Sequence, residues 1–355
     1  VIETVLGPVS AEDLGVTSMH DHLLIDARML HGPADEPPPA GDRVTIENLG
    51  FLRWNLLALP DNLVLDDPEL AAAELGYAAA LGQRSVVDLT SWGLGARPAQ
   101  LPPIARASGM HVIAGCGVYL DRPHPSWVAE LDDQALADRF LTSLLDELDG
   151  AGFRAGLLGV IGTGEPLATS EQRVLEACAA AAGATGAPLT VRLDPAAKRG
   201  LEMLELLASA GCAAAQVTFG NVDEFLDPGY LFELAEAGAT LEWCFGNEAT
   251  YRPGFRDPSD HERLDVLVAL LSARPELAAQ CVFGCSVWTK TQLRRYGGMG
   301  YDHLLRRIVP ELRRRGIEDD SVEQMLVRNP ARMLDWSRIP EPAAAGSQPP
   351  ARPRP

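Results

Sequence analysis

Short runs of branched and apolar residues alternate with longer stretches whose apolar positions recur every three or four residues, and the alternation repeats eight times along the chain. The strand-like runs end near His22, Thr90, Gly117, Gly162, Leu193, Asn221, Cys244 and Ser286. Each is followed by Ala-, Leu- and Glu-rich sequence of helical spacing. A strand–helix unit used eight times at even spacing predicts α/β architecture closed into a (β/α)8 TIM barrel, rather than an open sheet. No Gly-x-Gly-x-x-Gly run follows the first strand, so the usual mark of an open dinucleotide-binding sheet is missing.

The chain has 355 residues, more than the roughly 250 typical of such a barrel, and the excess has two places to go. A connection over residues 31–67 carries Pro33, Pro37, Pro38 and Pro39 and is too long for an ordinary strand–helix loop; it is expected to cover the barrel mouth. Residues 338–355 are rich in Pro and Ala without apolar periodicity and are read as a disordered tail, leaving a barrel domain at 1–337.

Forty-nine acidic against 30 basic residues give a net charge of −19, which repels phosphate backbones and anionic lipid. Nucleic acid and membrane partners are therefore not expected, and a small-molecule substrate is. Apolar runs such as Leu157 to Ile161 fall far short of the roughly 20 residues of a membrane span. The first residues do not read as a secretory signal. Cys116, Cys178, Cys212, Cys244, Cys281 and Cys285 are scattered, without a metal-type spacing, which points to a reducing cytoplasm.

In this fold the site lies at the carboxyl ends of the strands. That rule brings forward, among others, His20, His22, Arg192, Asn221 and Ser286, which the resemblance given below singles out as candidates for chemistry, with Asp88 beside them, and Tyr119, Glu165, Glu242, Trp288 and Lys290 as candidates for substrate binding. His20 and His22 stand two apart on a strand and share one face, where they either meet a ligand or serve as hydrogen-bonded core residues. Tyr119, Trp288 and Lys290 on mouth loops would suit an organic substrate with a carbonyl or anionic group. Asp88 is expected either to orient an imidazole or to cap its loop. Of Cys285 and Ser286, which point to opposite faces, only one can face the cavity.

The runs Thr4-Val5-Leu6-Gly7-Pro8 and Met19-His20-Asp21-His22-Leu23 open a series of motifs. It continues with Gly159-Val160-Ile161-Gly162-Thr163, Thr185-Gly186-Ala187-Pro188, Tyr296-Gly297-Gly298-Met299-Gly300-Tyr301 and Asn329-Pro330-Ala331-Arg332. Together they make the chain resemble the phosphotriesterase family of the amidohydrolase superfamily over about residues 3 to 336. The resemblance implies a binuclear metal site: the strand-one His pair, a bridging carboxylated lysine or glutamate on strand four, histidines on strands five and six, and an aspartate on strand eight. Here those positions hold His20 and His22, but then Val160, Arg192, Asn221 and Ser286. Valine has no lone pair to give, and a guanidinium repels a divalent ion.

No metal centre and no cofactor are therefore expected. The chain reads as a phosphotriesterase-like enzyme doing metal-independent acid–base chemistry on a small organic molecule, by cyclisation, elimination, isomerisation or ester or lactone opening. His20 or His22 would move the proton, and Arg192 would steady an oxyanion or carboxylate unless it is spent on Asp194, Asp223 or Glu242. A mononuclear metal-dependent lactonase or esterase, with a third ligand from Asp88, Cys116, Cys244 or Cys285, is the alternative. A non-catalytic binding or partner protein of the same fold is a third reading. High Ala, Arg, Gly and Pro usage hints at an actinobacterial source and specialised metabolism. The resemblance and the apolar helix faces also allow a homodimer.

Overall fold

Eight strands run parallel in chain order: β1 (Val16–Asp21), β2 (Gln83–Asp88), β3 (His111–Cys116), β4 (Leu157–Gly162), β5 (Leu189–Arg192), β6 (Val217–Gly220), β7 (Thr240–Cys244) and β8 (Cys281–Gly284). They come from a computed structural model that describes residues 1–252 and 255–336. Each strand pairs in parallel with the next, from β1 with β2 (Thr17 opposite Ser85) to β7 with β8 (Leu241 opposite Cys281). β4 and β7 are buried along their whole length, as strands covered on both faces must be. The expected (β/α)8 barrel is the observed fold, and every expected strand end lies within two residues of the observed one.

Closure depends on how near the last strand comes to the first. The amides of Cys285 and Ser286 donate to the His20 carbonyl at 3.2 and 2.7 Å, and the His22 amide donates to the Val287 carbonyl at 3.0 Å. This approach is available only because β8 ends on a glycine. A Cβ on Gly284 would lie 2.7 Å from the His20 Cβ and 2.9 Å from its backbone nitrogen and oxygen.

Several of the sequence motifs turn out to brace this seam. Tyr301 donates its hydroxyl to the His22 carbonyl at 2.9 Å. The Gln292 carboxamide accepts from the amides of Trp288 and Thr289 and donates to the Ser286 carbonyl, which fixes the loop after β8. Asn329 donates to the carbonyls of Ala278 and Cys281 at 2.7 Å and pins the start of β8.

The long connection carries structure of its own: helical turns at Ile46–Asn48 and Pro60–Leu63, a short helix at Leu49–Trp54, and a strand, Val64–Leu65, paired antiparallel with Ile25–Asp26. Leu57 brings it to the mouth of the barrel, where it lines the cavity with Leu30 of the preceding turn. The following helix, Pro68–Ala79, begins where the Asp67 carboxylate accepts from the amides of Glu69 and Leu70, with proline at the first turn. Residues 337–355, with the tail assigned from composition, lie outside the described residues. Among the described residues no helix is long and apolar enough to cross a membrane, and all six cysteines are buried free thiols.

Substituting Gly284→Ala forces β8 away from His20, so urea denaturation should report a loss of about 1–3 kcal/mol, the range for overpacked interiors. An unchanged midpoint would mean that the seam is not tight.

Candidate functional site

At the carboxyl ends of the strands a cavity of about 630 Å³ opens, within the usual size range for small-molecule sites. Its floor is polar, with His20, His22, Arg192, Asn221 and Ser286 among the lining residues. Its walls are apolar: Ile25, Leu30, Leu57, Leu94, Phe255 and Trp288. Tyr251 lies parallel to Trp288, with an interplanar angle of 10° and centroids 6.3 Å apart.

His20 and His22 face each other across 3.3 Å between their Nε2 atoms. Their other nitrogens are engaged from behind: His20 Nδ1 with Glu242 Oε1 at 2.7 Å, and His22 Nδ1 with Thr90 Oγ1 at 3.1 Å. All four side chains are buried. Burial works against a charged His20, but the Glu242 carboxylate outweighs it and holds the ring above its ordinary value. His22 has no carboxylate; burial, with the neighbouring His20 ring, pushes it well below. The two rings are therefore unequal, one ready to hold a proton and one to stay neutral.

Arg192 ends β5 and is ion-paired through its guanidinium to Glu224 Oε2 at 2.5 Å. The partners suggested by the sequence were Asp194, Asp223 and Glu242, and none of them is used. Asp223 is fully buried behind β7, where it meets Arg263 Nε at 2.8 Å and accepts from the Cys244 amide. Glu224 takes its place because Asn221, at φ 54°, starts the helical turn Val222–Glu224 and swings the third residue back to the cavity. Asparagine tolerates that left-handed conformation better than most residues. Ser286 also stands at positive φ, 45°, and faces the cavity, while Cys285 is packed away.

Three nominated residues lie elsewhere than expected, and Asp88 takes the second of its two expected roles. Asp88 is behind the wall, accepting from the Thr90 amide at 2.8 Å and the Leu23 amide at 3.4 Å; it caps its loop, and Thr90 is what holds the imidazole. Burial pushes the Asp88 carboxyl up to about 6. Glu165 is an exposed partner of Arg199 at 3.2 Å. Lys290 is held by Asp61 of the long connection at 2.6 Å and borders a separate, smaller cavity. Glu242 does not border the cavity directly but supports His20 from beneath. Tyr119 and Trp288 do line the cavity, as expected. Reasoning from the sequence missed Thr90, Glu224, Asn247, Tyr251 and Phe255; for Glu224 the only signal was an acidic residue three places past a strand end.

The positions that would hold a second metal and its bridge offer a hydrocarbon at Val160 and a paired cation at Arg192. Asn221 and Ser286 add only neutral oxygens, so this donor set does not fit a binuclear centre. His20, Glu242 and Cys244 do bring three potential ligand atoms within 4.8 Å of one another. They converge on His20 Nδ1, away from the cavity, and are joined by hydrogen bonds, with the Cys244 thiol donating to Glu242 Oε1 at 3.0 Å. Burial and Glu242 push that thiol well above its ordinary value, so it stays protonated.

The phosphotriesterase family model matches residues 1–334. An N-acetyltaurine hydrolase from Tetraodon nigroviridis is 34% identical over 350 residues, covering 94% of this chain and 98% of that one. A resiniferatoxin-binding protein from Rhodobacter sphaeroides superposes with a TM-score of 0.90 at 34% identity, covering 95% of each chain. A phosphotriesterase homology protein from Escherichia coli, complexed with phosphate in its active site, gives 0.76 at 25% identity, covering 91% of this chain and 99% of that one. None of these sources is actinobacterial, so the compositional hint of source and specialised metabolism gains no support. The matched motifs, the barrel and the paired histidines at the end of its first strand lead to one conclusion: the chain belongs to the phosphotriesterase family.

Proposed function

We propose that the protein is a hydrolase of carboxylic esters, lactones or amides in which the His20–His22 pair moves the proton and the family's binuclear centre is not used. The observation that carries this reading is the facing pair of Nε2 atoms, each ring anchored from behind. If both Nδ1 atoms carry hydrogen, two lone pairs oppose each other, and one cation must lie between them. A proton is sufficient: His20 as imidazolium donates one N–H to Glu242 and the other to His22.

When that proton is gone, the pair is a base. It takes a proton from the water attacking a carbonyl, Glu242 stabilises the imidazolium formed, and the proton passes to the departing oxygen or nitrogen. The Arg192 guanidinium, the Asn221 carboxamide and the Ser286 hydroxyl face the same space and can donate to the developing oxyanion. Hydrolysis is favoured over cyclisation or isomerisation because the Tetraodon relative is named an N-acetyltaurine hydrolase.

One observation favours a second reading. The 3.3 Å between the Nε2 atoms is also the spacing of two imidazoles on one tetrahedral ion, roughly 3.3 Å for bonds near 2.0 Å. A metal there would act as a Lewis acid, with His20 and His22 as ligands and Glu242 and Thr90 orienting them.

Elemental mass spectrometry on protein grown with zinc and manganese separates the two. The proton reading expects well under one ion per chain and turnover of an ester, lactone or amide panel that survives chelation. Stoichiometric metal with chelator-sensitive turnover would replace it by the second reading. His20→Ala and His22→Ala should each lower kcat at least about 100-fold, the lower end for acid–base catalysis, with folding retained by circular dichroism.

The pair also fixes a pH dependence. As a base it works when His20 is unprotonated, so kcat/KM should rise with pH through the raised His20 value. Glu242→Gln removes the carboxylate but not the burial, so the rising limb should move to lower pH. For stability the sign is opposite: the His20–Glu242 contact contributes fully below about pH 6.5, the unfolded value, and is lost as pH climbs through the folded one. Urea midpoints of Glu242→Gln and the parent should therefore converge at high pH; a constant gap from pH 6 to 9 counts against a charged pair.

A further inference from the structure

The cavity holds a contradiction. A guanidinium at its floor is the ordinary device for capturing a carboxylate or sulfonate, yet Arg192 already has a carboxylate at 2.5 Å, and that carboxylate, from Glu224, is buried beside the same space. The second acidic lining residue, Asp194, adds another negative charge.

No described cation nearby is free to offset them. In the loop after β5, Lys198 pairs with Asp227 at 2.5 Å and Arg199 with Glu165 at 3.2 Å. After β8, Lys290 pairs with Asp61. The histidine pair, when it holds its proton, is balanced by Glu242. An incoming anion would thus lose its hydration and meet no uncompensated positive charge among the described residues, with two carboxylates close by.

The negative field of Glu224 reaches the aromatic wall as well. Tyr251 donates its hydroxyl to Asp257 at 2.8 Å, and burial together with Glu224 pushes the Asp257 carboxyl up to about 8. Asp257 thereby stays mostly protonated at neutral pH, behind a wall to which Phe255 and Trp288 give apolar surface.

We propose that Glu224 sets the charge specificity of the cavity: by neutralising Arg192 it reserves the site for an uncharged carbonyl compound with an apolar body, and its removal turns the same pocket into a receptor for carboxylates. The inference rests on the reading of this cavity as the substrate site, and it separates the chain from any relative whose ligand is anionic. Arg192 remains a hydrogen-bond donor to a carbonyl oxygen, while its net attraction for an anion is cancelled.

Isothermal titration with decanamide and decanoate at pH 7.5, below micelle formation, tests it without any need for turnover. The unsubstituted protein should bind the amide at least about 10-fold more tightly than the acid. In Glu224→Gln the decanoate affinity should rise by about 10-fold or more, with decanamide held within about 3-fold. The double variant Arg192→Gln/Glu224→Gln should lose that gain, because no cation is left to be unmasked; it also removes both halves of the ion pair, so neither partner is stranded as a buried charge.

Equal or tighter binding of decanoate by the unsubstituted protein overturns the inference even if Glu224→Gln does not fold. An unchanged preference in a folded Glu224→Gln overturns it too, and so does the absence of binding by either probe. Selective binding with no turnover of any ester, lactone or amide would sink the enzymatic reading and leave this one standing. Turnover with indifferent binding would do the reverse.

Discussion

Two imidazole nitrogens held 3.3 Å apart at a buried cavity floor cannot both present lone pairs to each other, and much of the site follows from how that conflict is resolved. The distance is imposed from outside the pair. β8 reaches His20 only because Gly284 lacks a side chain, Tyr301 clamps the His22 carbonyl, and Glu242 and Thr90 hold the outer nitrogens. The seam that closes the barrel and the placement of the histidine pair are thus one construction. This explains why glycine and tyrosine motifs far from β1 in sequence still bear on its histidines.

The fold was legible because barrel strands buried on both faces must be short continuous apolar runs, and each is followed by sequence of helical period. Strand ends could be placed to within two residues for the same reason. The inner site was legible on the strands and within two residues of their ends: His20, His22, Arg192, Asn221 and Ser286 all face the cavity. Legibility stopped where the backbone left the strand. Past Gly220 the chain enters a left-handed residue and a helical turn, so alternation no longer says which of Asp223 and Glu224 faces inward. Lys290 and Glu165 were misplaced because charges on mobile stems are taken by whichever opposite charge is near, here Asp61 and Arg199. The Glu242 support of His20 spans 222 positions, a pairing that local pattern cannot report.

The departures from the family's ligand pattern are linked. An arginine at the end of β5 is tolerable in a buried floor only with a carboxylate to meet it. That carboxylate is delivered by the turn after β6, which begins at Asn221, the position where the family keeps a histidine. Arg192, Asn221 and Glu224 therefore behave as a single unit: the asparagine supplies the backbone conformation, the glutamate the charge, and the arginine a donor whose charge is balanced. An arginine at this position on β5 without Glu224 would leave an unpaired cation facing the histidine pair, and Glu224 without the arginine would leave an unpaired carboxylate there. The polar floor is accordingly a charge-balanced arrangement of its own, with Arg192 and Glu224 paired beside the histidines, and on the reading proposed above its substrate would answer to that balance rather than to the scaffold on which it is built.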